Sequence, residues 1–430
     1  MPANTSTLAN LFKEDYAPAI VNELNDATPE LDLFERIDNA SFVGMEHIET
    51  VRVNRNRGCY FGVEGGPFPT AGQTQLERLR IPMRYQWGAI QVTKQLLLAS
   101  RSDQGALARG LSMEMDGMRT GMRINRNFAI WGDGRAVRAL CNVASTATTA
   151  ITIDSPGGFA GATNGARFLN VGDWIAYVIP ATGLFRLAAS SQVVGVNAAG
   201  TVITVEAADT TVDNDYVVKV YGNDAALVNA DSDYMHAPMG IVGMVDDGTY
   251  IANYFGLNRT NFPVMNSTVV TGVGAMSADI LQRTLDVSMQ VGDAQISDLL
   301  CHPSVVRAYL TISQNDRRYT AGDLKSPDVG TVLAKNKWDT GITFGGIPFR
   351  RCIDAPYGML FGVDRSSMVR YVMDEGSWID DDGNMLVRNG TAIDTFDAQF
   401  RIYEQFAMTK PNQAFRMEGI TTNIAVVHRV

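Results

Sequence analysis

The segment that most constrains this chain is Gly62-Val63-Glu64-Gly65-Gly66-Pro67-Phe68-Pro69-Thr70-Ala71-Gly72. Four glycines and two prolines in eleven residues rule out a helix or a central strand. On both sides the sequence alternates with the two-residue period of strands, from Val51 to Phe61 and from Leu76 to Thr93, as in Val51-Arg52-Val53-Asn54 and Ile90-Gln91-Val92-Thr93. The whole reads as a long two-stranded arm with a glycine-proline tip. Two strands alone do not make a core, so the arm needs a partner surface, and another chain is the expected provider.

The rest of the sequence is long enough to supply cores of its own. At 430 residues the chain exceeds one compact core, and two or three units are expected. Hydrophobic residues at 46% and charged residues at 19% argue against disorder, and 40 glycines point to many turns and strands, hence a mixed α+β protein. Ser6 to Asn25 has helical apolar spacing (Leu8, Leu11, Phe12, Ile20, Leu24). After Ser102-Asp103, Leu107, Leu111, Met115, Met118 and Met122 mark one face of a long helix ending at Trp131-Gly132-Asp133-Gly134. Gly110, Gly117 and Gly121 are costly in that helix and predict close backbone packing or a bend. From Val143 to Asn229 short alternating runs (Ile151-Thr152-Ile153, Trp174 to Val178, Val202 to Val205) predict a separate barrel or sandwich inserted into the main fold. Further on, Ser277 to Val291 and Pro303 to Leu310 read as helices around a strand at Leu299-Leu300-Cys301. Strands follow at Ile347 to Arg350, Met359 to Gly362 and Phe400 to Tyr403, and an antiparallel finish runs through Pro411 to Ile424.

Charge and motif content exclude several function classes. The net charge of −10, without a basic tail, speaks against gripping nucleic acid over a large face. Only seven of the 36 lysine and arginine residues are lysines. Arginine suits partly buried ion pairs and interfaces, so much of the surface is expected to face neighbouring subunits. Arg52, Arg55 and Arg57 lack interleaved stacking aromatics and read as inter-subunit ion-pair donors, not as a nucleic-acid patch. With Glu64, Phe68, Arg78 and Arg80 they form the predicted inter-subunit contact set. Cys59, Cys141, Cys301 and Cys352 have no paired spacing and read as buried thiols. His47, His236, His302 and His428 stand at no metal spacing, and Asp380-Asp381-Asp382-Gly383 reads as a solvated turn, since Trp378 occupies the place of a first calcium ligand. No phosphate loop, serine elbow or dinucleotide fingerprint is present, so no catalytic residue, cofactor or metal is expected. The N-terminus lacks a basic region followed by an apolar run, and no stretch reaches the length of a membrane span, which predicts a cytoplasmic origin.

Several local motifs in their order resemble the Hong Kong 97-like major capsid proteins of tailed bacteriophages. Phe12-Lys13-Glu14-Asp15-Tyr16 resembles the family's N-terminal arm, Val63 to Pro69 the tip of its extended loop, and Asn125-Arg126 with Trp131 to Gly134 the end of its spine helix. Tyr250 through Phe255-Gly256-Leu257-Asn258-Arg259, Cys301-His302-Pro303, and Gly346-Ile347-Pro348-Phe349 through Gly362-Val363-Asp364 resemble the axial domain and the sheet that follows it. The resemblance implies an N-terminal arm (1–48), an extended loop hairpin (49–94), a peripheral domain with the spine helix (95–142), an inserted β-barrel-like domain (143–229), an axial domain with return strands (230–395) and C-terminal peripheral strands (396–430). It implies hexamers and pentamers of an icosahedral head that encloses double-stranded DNA without specific binding, assembled in the host cytoplasm with a portal, a decoration protein and no membrane. The extended loop holds no lysine, since Lys94 is the first after Lys13, so an isopeptide weld of the kind some members make is not expected. The arm begins close to Met1, which implies a separate scaffolding protein. An encapsulin-type compartment shares the fold and is the alternative; a β-rich carbohydrate-acting protein, suggested by the insertion alone, is the third reading.

Overall fold

The computed structural model describes residues 29–38, 46–93, 104–315, 339–379, 387–388 and 395–422. The helix predicted from Ser6 to Asn25, the cap at Ser102-Asp103, the Asp380 to Gly383 turn and His428 lie outside them.

A 28-residue helix, Gln104–Trp131, is the longest element. Its methionines face the strand Arg84–Thr93 at Gly88, where an added Cβ would stand 2.7 Å from the sulfurs of both Met118 and Met122. Glycine there lets helix and strand close up, and Ile90 and Val92 pack with Met115 and Met118 beside it. Polar links fix the same contact: Gln86 Nε2 donates to the Met122 carbonyl at 2.8 Å, and Arg126 grips Glu404 with two nitrogens. Arg370 Nε donates to the same carboxylate at 2.8 Å, so one buried glutamate joins helix and sheet. Two of the three helix glycines lack the close packing that is one of the two expectations for them. Gly117 and Gly121 are exposed, and among the described residues nothing lies within 4 Å of a Cβ added at either.

The five-stranded sheet under this helix is organised by the 14-residue strand Thr395–Met408. Arg84–Thr93 runs antiparallel to it from Glu404↔Arg84 to Thr395↔Thr93, and Met368–Trp378 and Val387–Arg388 are its other partners. Glu35–Asp38 adds a parallel strand on Met368–Trp378. The arm is therefore shorter than the alternation predicts. Its ladder joins Glu46–Arg52 to Leu76–Pro82 and ends at Pro82, which has no N–H to donate, while Arg84–Thr93 belongs to the sheet.

A second sheet of six strands runs Thr268–Val270, Phe415–Met417, Leu360–Val363, Asp298–Cys301, Ile347–Arg351, Asp339–Phe344. Helices Ala278–Gly292, capped by the Ser277 hydroxyl on the Ile280 N–H, and Pro303–Asn315 pack on it around Leu281, Leu299, Val305, Phe349 and Phe415. Between the two sheets lies the largest core, with Leu33, Phe34, Leu79, Ile81, Trp131, Phe361 and Phe406. At its centre Arg416, Arg259 and Asp246 are all but inaccessible. Arg416 Nη2 bonds Asp246 at 3.0 Å, and both guanidiniums donate to carbonyls of residues 242–246, among them the last turn of the helix Ile241–Met244. Buried cations are tolerable when paired and hydrogen-bonded in this way.

Between the long helix and this core the chain forms a closed six-stranded barrel, with strands in the order Tyr216–Val220, Ala139–Cys141, Ser145–Asp154, Val202–Thr211, Ser191–Val196, Trp174–Val178. Inward side chains Ile151, Ile153, Ile175, Tyr177, Val193, Ile203 and Val217 fill it. Its incoming and outgoing strands pair directly, Ala139↔Val217. Two arginines hold it to the body. Arg138 lies 4.0 Å over the Phe128 ring and bonds Asp233 at 2.9 Å, and Arg167 bonds Asp354 and the Ile353 carbonyl with the Tyr357 ring 4.8 Å away.

Candidate interaction surface

The arm's ladder has two unlike faces because side chains alternate along each strand. Leu79 and Ile81 are buried, and on the same face the His47 ring lies tilted against Tyr371 with centroids 4.6 Å apart, while the Tyr371 hydroxyl donates to Glu49 at 3.3 Å. The Arg80 N–H donates to the Phe255 carbonyl at 3.0 Å, which fixes the root of the arm to the body. The other face is open. Arg78 stands across from Thr50, Arg80 from Ile48 and Arg52 from Leu76, with Ile48 and Leu76 more than half exposed.

Beyond Arg52 the ladder keeps one bond, Val53 N–H to the Gln75 carbonyl at 3.0 Å. Asparagine side chains bond the neighbouring backbone instead: Asn54 Oδ1 accepts from Arg55 N–H at 2.9 Å and Asn56 Oδ1 from Gly58 N–H at 2.8 Å. The two limbs then pass each other at a neck where a Cβ on Gly58 would be 2.8 Å from the Gly72 nitrogen, which only glycine permits. Past the neck the tip closes on a turn, with Gly66 N–H on the Val63 carbonyl at 3.0 Å and Gly65 at φ 76°, and the Tyr60 hydroxyl donates to the Pro67 carbonyl. Glu64 sits at the apex.

All seven predicted contact residues, Arg52, Arg55, Arg57, Glu64, Phe68, Arg78 and Arg80, are exposed on this arm. Among the described residues none of the five arginines forms an ion pair. Phe68 is 97% exposed, and the sequence reading missed its company: Phe61 at 106%, Val63 at 82% and Tyr60 at 51%. Their signal was present, as large apolar residues placed in a segment that no core can reach. Cys59 also corrects the sequence reading, being exposed on the tip loop while Cys141, Cys301 and Cys352 are buried. The arginine bias is likewise only partly a surface property, since Arg138, Arg167, Arg259, Arg370 and Arg416 are buried within the subunit.

Elsewhere burial shifts individual titratable groups. His302 Nδ1 accepts the Ser304 N–H at 3.2 Å, and burial, helped by the charge of Arg167, pushes its imidazole down to about 3. Burial raises the Cys141 thiol to about 12. Among the described residues no group of three or more His, Cys, Asp or Glu side chains is placed to hold a metal ion, and no helix is long and apolar enough to cross a membrane.

No family model matches the sequence, and no curated protein matches it. Among solved structures the chain is similar to the capsid asymmetric unit of cyanophage A-1(L), with a TM-score of 0.55 and 11% identity over 98% of this chain and 100% of that one. A structure from Gordonia phage Cozz aligns at 0.46 with 8% identity, covering 97% and 94%. The holo-SrpI encapsulin complex from Synechococcus elongatus PCC 7942 aligns at 0.44 with 8% identity, covering 100% of both chains. The likeness to the cyanophage structure shows the fold: a mixed α+β phage-capsid fold, here carrying a closed six-stranded barrel.

Proposed function

We propose that this chain is the major capsid protein of a tailed bacteriophage, a non-enzymatic subunit of the Hong Kong 97 type that assembles with copies of itself into an icosahedral head. The observation that carries the reading is the arm. Phe61, Val63 and Phe68 stand almost fully in water at the end of a glycine-necked hairpin, and apolar side chains presented in this way gain stability when a partner covers them. The capsid fold supports the same reading.

In this reading the five-stranded sheet and the helix Gln104–Trp131 form the peripheral domain, and the six-stranded sheet with its two helices forms the axial domain. The arm reaches a neighbour in the same ring, and rings of six and five close the shell. A net charge of −10 suits a wall that encloses double-stranded DNA without holding its phosphates. A separate scaffolding protein, a portal and a decoration protein are the expected partners, and the virion is the expected location.

Purified full-length protein, alone or with the scaffolding protein encoded beside it, is expected to give rings or closed shells in electron micrographs. A protein that stays monomeric under every condition that concentrates it would refute the proposal.

A further inference from the structure

The root of the arm holds a cavity of about 340 Å³ with a buried, unbonded guanidinium nitrogen in its lining. Arg84 is half-buried there, and its Nε is buried without a hydrogen bond. Desolvation lowers its pKa, the mark of a cation missing a counter-charge. Arg80 stands at the rim, and neither arginine has an ion pair among the described residues. Gln405 is 1% exposed; its Oε1 accepts from the N–H groups of Met239 and Phe406, which leaves its amide nitrogen without a partner among the described residues. Pro82, Met239 and Phe255 supply apolar wall. Two carboxylates also line the cavity: Asp133 is committed to Arg135, and Glu46 is exposed at the rim.

The complementary group sits at the other end of the same arm. Glu64 is the one acidic residue between Val53 and Gln75, and the turn closed by Gly66 N–H on the Val63 carbonyl holds it at the apex, with exposed Val63 beside it. It cannot reach its own chain's cavity. Seven ladder residues rising about 3.3 Å each put about 20 Å between root and neck, and Glu64 beyond the neck is exposed, not folded back on the body. Only a second copy can bring the two together.

We infer that the arm tip of one subunit inserts Glu64 into the Arg80–Arg84–Gln405 cavity at the arm root of the next. The inference rests on the shell reading and names the contact that joins neighbours. Carboxylate on guanidinium is a strong, directional pairing, and Val63 meets the apolar wall. Plug and socket are different patches of one surface, so the contact is heterologous and repeats head to tail until a ring closes.

Charge exchange tests it in the full chain. Glu64→Lys alone and Arg84→Glu alone are each expected to lower the yield of rings, counted by native mass spectrometry, at least tenfold. Mixed one to one, each variant's tip meets the other's socket with opposite charge, so assembly is expected to return as rings with an even number of subunits, because alternation cannot close a ring of five. If Arg84→Glu melts below the wild type, Arg80→Glu at the exposed rim replaces it in the same mixture. Single variants that assemble like wild type, or folded variants that fail both alone and mixed, overturn the contact while wild-type shells leave the shell reading standing. A wild-type chain that never forms rings sinks both.

Discussion

Two buried residues set opposite pH limits on this subunit. Glu30 is 4% exposed with Oε2 unbonded, and burial, with Asp354 nearby, raises its carboxyl from 4.5 to about 7. A raised folded-state pKa means the native chain holds a proton that the unfolded chain releases, so this stability is whole below pH 4.5 and lost as pH rises through 7. Glu30→Gln is therefore expected to raise unfolding stability at pH 8 by on the order of 3 kcal/mol and to change little at pH 4.5, as read from urea midpoints. His302 works the other way. Its imidazole is held neutral down to about 3, so its contribution is complete above the unfolded value of 6.5 and declines toward pH 3. Neither residue was legible as a titrating group, because the surroundings that shift it, such as Asp354, Trp131 and Cys352 around Glu30, are distant in sequence. For the same reason the excess of arginine could be counted but not placed: Arg259 and Arg416 meet at Asp246 across 157 positions of chain.

At the scale of elements, periodicity located the long helix, and Met115, Met118 and Met122 do face the sheet. What the helix packs against was not legible, because Gly88 acquires meaning only when Arg84–Thr93 pairs with Thr395–Met408 some 300 positions away. The same pairing explains the shorter arm: alternation says strand, not which sheet. Gly117 and Gly121 follow from local physics once their surroundings are known. Both face open space, so Gly117→Ala and Gly121→Ala are each expected to stabilise the isolated subunit by up to about 1 kcal/mol in thermal or urea unfolding. A loss of stability would mean that the helix bends or packs there. The glycines of the arm are different in kind, because Gly58 and Gly72 admit the close pass of two limbs and a methyl group at either would reshape the tip.

The described residues form two large sheets sharing one core, with a closed barrel and the two-stranded arm attached to them. Short alternating runs made the barrel readable as a β unit, but its closure and its arginine anchors were beyond the sequence, since Arg167 meets Asp354 across 187 positions. Arg167→Ala removes the bonds to Ile353 and Asp354 and the ring contact with Tyr357. It is expected to cost about 2 kcal/mol and to speed hydrogen exchange at 352–357 while the barrel's own amides stay protected. The barrel's incoming and outgoing strands hydrogen-bond to each other at Ala139 and Val217. Apart from the anchor at Arg167 and the Phe128–Phe168 ring contact, the chain enters and leaves the segment between them through one strand pair. Lengthening or replacing that segment leaves the spacing of its two ends unchanged, so this is where descendants of the sequence can gain or lose a module while the remaining fold keeps its register.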